Sequence, residues 1–109
     1  MDRQDSLNGS IPLIVLKILT QRGPLHGYAI GAHIQAMSDD VLRVEQGSLY
    51  PALHRMEEGG WIKAKWIQTE NKRRARLYEI TTAGRKQLAK EEARWSMVTA
   101  AVGQILQRA

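Results

Sequence analysis

The chain has no cysteine and no phenylalanine among its 109 residues. The first absence excludes disulfides and thiolate metal sites and fits a reducing compartment. The second leaves three tryptophans and three tyrosines to supply all aromatic packing. No apolar run reaches the roughly 18 residues of a membrane span, and the N-terminus has no signal-peptide pattern. A cytoplasmic location is therefore expected. No glycine-rich phosphate loop occurs, and no cofactor is expected. His26 and His33 lie seven apart with no acidic residue spaced to complete a metal site, so no metal is expected. No Ser/His/Asp set can be argued from spacing. Glu57 and Glu58 are adjacent and so face different directions on a helix. Nothing points to an enzyme.

Acidic residues are scarce where basic ones gather. The formal net charge is +5. Lys63, Lys65, Lys72, Arg73, Arg74, Arg76, Arg85, Lys86 and Lys90 are opposed in their segment only by Glu70 and Glu79. The N-terminal half is close to balanced. A cation-rich segment of this kind suits a polyanion such as nucleic acid.

The chain is long enough for one domain with a core. Residues 1–9 read as a polar, frayed tail. Ile11, Ile14, Val15, Ile18 and Leu19 recur at helical spacing, and Gly23-Pro24 stops that helix. Lys17 is its one charge and should face solvent, where it could touch phosphate. A second helix is expected from about Gly27 to Met37, with Tyr28, Ile30, Ile34 and Met37 on its apolar face. Val41–Val44 could be extended. Trp61–Gln68 and Ala75–Ile80 alternate as strands, joined by the charged turn Glu70-Asn71-Lys72-Arg73-Arg74, and so form a hairpin. Thr81-Thr82 can cap a last helix from about Ala83 to Gln107.

Between the second helix and the hairpin lies the stretch from Gly47 to Ile62. Ser48 can cap a helix there, with Pro51 in its first turn and Gly59-Gly60 at its end. Leu49, Leu53 and Met56 share one face and should be buried. Tyr50, Pro51, His54 and Arg55 point the other way. Three helices followed by a hairpin with a basic tip is the order of a winged helix-turn-helix, an α+β but mainly helical fold. Its third helix enters the major groove, and its wing lies on the adjacent backbone or minor groove.

The expected DNA contacts are Gln46, Ser48, Tyr50, Pro51, His54 and Arg55 on the helix, and Lys72, Arg73, Arg74 and Arg76 on the wing. Each has a plainer alternative. Ser48 is either a cap or a phosphate ligand. Gln46 reaches a base edge or is an ordinary loop residue. Tyr50 contacts DNA or packs under the wing. His54 contacts DNA or is a solvated surface histidine. Arg55 could pair with Glu58, which would be structural. The wing-tip cations contact DNA or form a solvated turn, and alternation could turn Arg76 either way.

The residues also resemble a known family. Gly23-Pro24-Leu25-His26-Gly27-Tyr28-Ala29-Ile30 is similar to the turn and second helix of the PadR family of transcriptional regulators. Gly47-Ser48-Leu49-Tyr50-Pro51-Ala52-Leu53, with Met56-Glu57-Glu58-Gly59-Gly60-Trp61-Ile62, resembles that family's recognition helix and wing entry. Arg74-Ala75-Arg76-Leu77-Tyr78-Glu79-Ile80-Thr81-Thr82-Ala83-Gly84 resembles its second wing strand and the cap of its final helix. The resemblance spans about residues 9–88. It implies a homodimeric winged-helix repressor responsive to a small molecule, in the short branch with one C-terminal helix. Residues 10–82 would be the DNA-binding domain and residues 83–109 the dimerisation helix.

The last helix carries Leu88, Trp95 and Val102 seven apart, and Val98 and Ile105 likewise. With Leu106 these form an apolar stripe that one domain would not cover, and an exposed stripe marks an interface. A homodimer with a palindromic double-stranded DNA operator is expected. Trp95 at the seam could stack on a small aromatic or cationic effector, or could simply be core. The other function classes are a winged-helix protein-interaction module without DNA binding and a ligand-sequestering multidrug-binding protein. The basic wing tip together with Tyr50 and His54 argues against the first. The second needs a sizeable pocket around Trp95.

Overall fold

The computed structural model describes residues 9–108. The expected tail therefore lies, but for residue 9, outside the described residues. Helix α1 (Ile11–Arg22) begins with Pro12 in its first turn and buries Ile11, Val15, Leu16, Ile18 and Leu19. It stops at Gly23, whose φ of 80° suits a residue without a Cβ. A short strand β1 (Leu25–His26) follows, and α2 (Gly27–Met37) starts directly from it. Ile30 and Ile34 of α2 are buried. Tyr28 is 64% exposed and Met37 is also exposed, which corrects their expected place on the apolar face.

The loop after α2 is irregular, and no strand forms at Val41–Val44. Ser38 organises it instead: its Oγ donates to the Ile34 carbonyl at 2.8 Å and accepts from the Leu42 amide at 2.9 Å. Helix α3 (Gln46–Glu58) buries Leu49, Ala52, Leu53 and Met56. Its N-cap is Glu45, with no side-chain cap, so the expected Ser48 cap is not formed. Ser48 is already helical, its amide bonded to the Glu45 carbonyl at 3.0 Å. Pro51 accordingly falls inside the helix, one turn later than expected, and has no N–H to give to the Gly47 carbonyl. At the other end the Gly60 amide bonds the Glu57 carbonyl and the Trp61 amide bonds the Met56 carbonyl, each at 3.0 Å. With Gly60 at φ 80° this is a Schellman stop, and it aims the chain into the hairpin.

Strands β2 (Ile62–Gln68) and β3 (Arg74–Ile80) pair antiparallel, Ile62 against Ile80 and Gln68 against Arg74. Strand β1 adds to the other edge of β3, giving the order β1-β3-β2. The turn is closed by Thr69 and Arg73, with Lys72 at φ 58°. Because side chains alternate, Ile62, Ala64, Trp66 and Gln68 share one face with Arg74, Arg76, Tyr78 and Ile80. At its root this face joins the helical core through Ile62, Tyr78 and Ile80.

Helix α4 (Thr82–Gln107) is capped by Thr81, whose Oγ1 accepts from the Gly84 amide at 3.0 Å. Gly84 and Leu88 pack into the core. Beyond Leu88 the helix runs on with no buried residue, and the molecule extends to 57 Å along its longest axis. Leu88 is 6% exposed and belongs to the chain's own core, which removes it from the expected dimer seam.

Candidate nucleic-acid interface

Burying Leu49, Ala52, Leu53 and Met56 forces the rest of α3 outward. Gln46, Tyr50, Pro51, His54 and Arg55 are all exposed, and Ser48 is half-buried. The Tyr50 ring lies against the backbone of Gly27 at the start of α2. His54 Nε2 meets Glu58 Oε1 at 2.9 Å, both well exposed. Glu58 thus pairs with His54, so the plainer alternative for Arg55, a pair with Glu58, is not formed, and among the described residues Arg55 forms no ion pair. The i,i+4 separation places His54 directly over Glu58, and the contact is an ion pair only when the imidazole is protonated.

On the wing, Lys72, Arg73 and Arg74 are exposed around the turn. Arg74 stacks over the Trp66 ring, its guanidinium carbon 4.8 Å from the centroid. Arg76 is different. Its Nη2 donates to Glu57 Oε2 at 2.7 Å, and its guanidinium lies 5.4 Å from the Trp66 centroid and 5.9 Å from that of Tyr78. Arg76 is thus committed to α3 and to the wing's own aromatics, and we withdraw it from the DNA-contact set. Beneath it, burial pushes the Tyr78 hydroxyl above the ordinary value of 10.0; Arg76 opposes that shift, while Glu57 and Tyr50 add to it.

Several residues on this side were not among the expected DNA contacts. Trp66 is 55% exposed and carries the arginines. His26 and Tyr28 stack in parallel, with centroids 5.6 Å apart, at the start of α2. His26 Nδ1 also meets the Arg76 carbonyl at 3.2 Å. A groove between α2 and α3 brings Tyr28, Gln35 and Arg43 beside Gln46. The signal for Tyr28 was its place at a helix start, where an exposed aromatic ring is a recognition group as readily as a core one. Among the described residues no three His, Asp or Glu side chains gather to hold a metal, and no helix is long and apolar enough to cross a membrane.

Residues 15–90 match the model of the transcriptional regulator PadR-like family. The chain belongs to this family. Solved structures agree with that placement. A transcriptional regulator from Clostridium thermocellum superimposes with a TM-score of 0.84 at 28% identity, covering 92% of this chain and 96% of that one. A PadR-like transcriptional regulator from Bacillus cereus gives 0.78 at 27% identity, covering 94% and 97%. In sequence, a 37.1 kDa transposon-encoded protein of Streptomyces fradiae is 44% identical over 69 residues, 63% of this chain. This chain spans only 18% of that protein's length.

The rest of this PadR-like chain presents a second surface. Trp95, Val98, Val102, Ile105 and Leu106 are all exposed along α4. Trp95, 52% exposed, lines a cavity of about 350 Å³ walled by apolar residues of α1, the end of α2 and α4. Lys17 Nζ and Glu92 Oε1, 3.6 Å apart, stand among its lining residues. Lys17 faces solvent as expected, with this partner.

Proposed function

We propose that the protein is a PadR-like transcriptional repressor that binds operator DNA as a homodimer. The observation that carries this reading is the division of α3. Four apolar residues anchor it, while Gln46, Tyr50, Pro51, His54 and Arg55 are exposed beside a wing tip bearing Lys72, Arg73 and Arg74. The helix supplies base-edge and phosphate contacts, with Ser48 near its N-terminus for phosphate. The wing tip supplies phosphate contacts. The winged domain of residues 10–82 reads DNA, and the helix of residues 83–109 pairs two copies through Trp95, Val98, Val102, Ile105 and Leu106. The test is fluorescence anisotropy with a duplex from upstream of the gene, beside a scrambled duplex, across salt concentrations. Tighter binding to the upstream duplex is expected. Absence of binding to both at low salt would return the winged domain to a protein-interaction role.

The effector reading rests on the apolar cavity at Trp95, whose volume of about 350 Å³ lies at the small end of ligand pockets. A planar aromatic or cationic molecule stacked there would alter the spacing of the two recognition helices and release the operator. Titration of planar aromatics into a Trp61→Phe, Trp66→Phe variant reports Trp95 alone. Unchanged emission near saturation removes the effector site. Quenching with unchanged operator affinity leaves a ligand-sequestering protein instead.

A further inference from the structure

Three elements meet at Arg76. Its Nη2 donates to Glu57 Oε2 on the last turn of α3 at 2.7 Å. Its plane lies near the Trp66 and Tyr78 rings of the wing. Its carbonyl meets His26 Nδ1 at the junction of β1 and α2. The guanidinium and carboxylate are about one-third and one-quarter exposed, so the pair is shielded more than the other ion pairs of the fold. Among the described residues, Arg76 Nε is buried and has no hydrogen-bond partner. A buried donor without an acceptor is unfavourable. The guanidinium is therefore oriented by the stack and by Glu57, at the expense of one hydrogen bond. Such a group has one geometry, and lysine cannot reproduce its planar fork.

Among the described residues, the hairpin is otherwise held at its root, where Ile62, Ala64, Tyr78 and Ile80 meet the core and β1 pairs with β3 at Tyr78 and Leu77. A two-stranded ribbon twists and bends freely beyond its anchored end. Arg76 and its cross-strand partner Trp66 sit partway out, between that root and the basic turn. Arg74, the next residue outward on the same face, rests on the same indole. We propose that Arg76, clamped between Glu57 and Trp66, is a positioning residue that sets the angle between the wing and the recognition helix. The proposal rests on the DNA-binding reading for its consequence but not for its geometry. Arg76 touches no DNA. It fixes where Arg74 and the wing tip stand relative to Tyr50 and His54, so that phosphate contacts and base contacts fall in one register. Discrimination between sequences then depends on a residue that reads none of them.

The absence of cysteine allows a direct measurement. Spin labels at Asn71→Cys, on the wing tip, and Gln21→Cys, on the exposed end of α1, report the wing's position by electron–electron distance, with labelled chains diluted into unlabelled ones. Arg76→Met and Glu57→Gln are compared with the parent. Glu57→Gln keeps the volume and an acceptor, so it preserves the test if Arg76→Met folds poorly. The expected result is a broadened or shifted distance distribution in both variants without DNA. In anisotropy, the preference for the upstream duplex over the scrambled one falls about tenfold, the scale on which networked contacts couple sites. The slope of log affinity against log salt stays unchanged, because no phosphate contact is lost. An unchanged distance distribution overturns the proposal whatever the DNA result. A slope reduced by about one also overturns it, since that marks a direct phosphate contact. If the parent protein binds neither duplex, the function reading fails, and the distance measurement still decides the brace.

Discussion

At Gly27 the backbone of α2 passes so close to Tyr50 that an added Cβ would lie 2.6 Å from ring atom Cε1. The obstacle is the far end of a side chain, so Gly27→Ala is expected to displace the tyrosine and leave the fold intact. A stability loss of about 1 kcal/mol is expected in thermal unfolding. If Tyr50 reads DNA, affinity for the upstream duplex falls about tenfold, the size of one lost contact. An unchanged affinity would make Tyr50 a packing residue. Tyr78 gives a second expectation. Its proton is held more tightly in the folded state because burial disfavours the phenolate. That contribution to stability is complete below pH about 10 and is lost as pH rises through the higher folded-state value. The melting temperature should therefore fall through that range, and less steeply in Tyr78→Phe. Arg76 opposes the shift, so Arg76→Met should raise the Tyr78 titration further, visible in tyrosinate absorbance. Single positions differ in how readily the sequence discloses them. The outward placement of Tyr50 and His54 follows from helical periodicity alone. The roles of Trp66 and Arg76 depend on strand register, which pairs them across the hairpin, and on α3 presenting Glu57, and no local pattern contains either fact.

Among the elements, the start of α4 is the most constrained. Thr81 Oγ1 accepts from the Gly84 amide and donates back toward the carbonyls of Gly60 and Trp61, at 2.6 and 3.0 Å. One hydroxyl thereby ties the helix to the turn that ends α3. Thr81→Ala should cost about 1 kcal/mol, as loss of a cap does. Gly84 admits no side chain at all, since a Cβ would overlap the Trp61 carbonyl oxygen, and a backbone atom cannot swing aside. Gly84→Ala is expected to cost more than the cap, about 3 kcal/mol, by the logic of overpacking. Denaturant unfolding of both variants checks the order; a smaller loss at Gly84 than at Thr81 would contradict it. The helices and the hairpin were legible because their apolar periods and their Gly, Pro and Thr boundaries are strong and local. Strand β1 was not, since two residues show no alternation and pair only through the tertiary placement of β3. The start of α3 lies three residues before the one that Ser48 suggests, for a related reason. Ser48 has the chemistry of a cap, but the chain enters the helix earlier, and Glu45 holds the cap position without using its side chain.

As a whole, the chain is a small helical core with one long arm. Helix α4 has 26 residues, about 39 Å at 1.5 Å per residue, and its buried residues lie in the first two turns. Trp95, Val98, Val102, Ile105 and Leu106 are left in water unless a second surface meets them. Leu88 marks the boundary, because it is the last side chain that the chain's own core absorbs. If two copies pair along this arm, stability depends on concentration, because dimerisation draws the folded state down by mass action. The melting temperature should rise with protein concentration, and Val102→Glu should abolish that dependence and yield a monomer in analytical ultracentrifugation. The core residues are untouched by this substitution, so the winged domain should remain folded. Operator affinity should nevertheless fall by about a hundredfold or more, because two recognition helices that were held at one effective concentration become independent. Binding to a scrambled duplex should fall much less, since each wing tip still meets phosphate singly. A Val102→Glu protein that stays dimeric would place the seam elsewhere. A monomer that kept its operator affinity would show that one winged domain suffices, and the palindromic operator would lose its rationale.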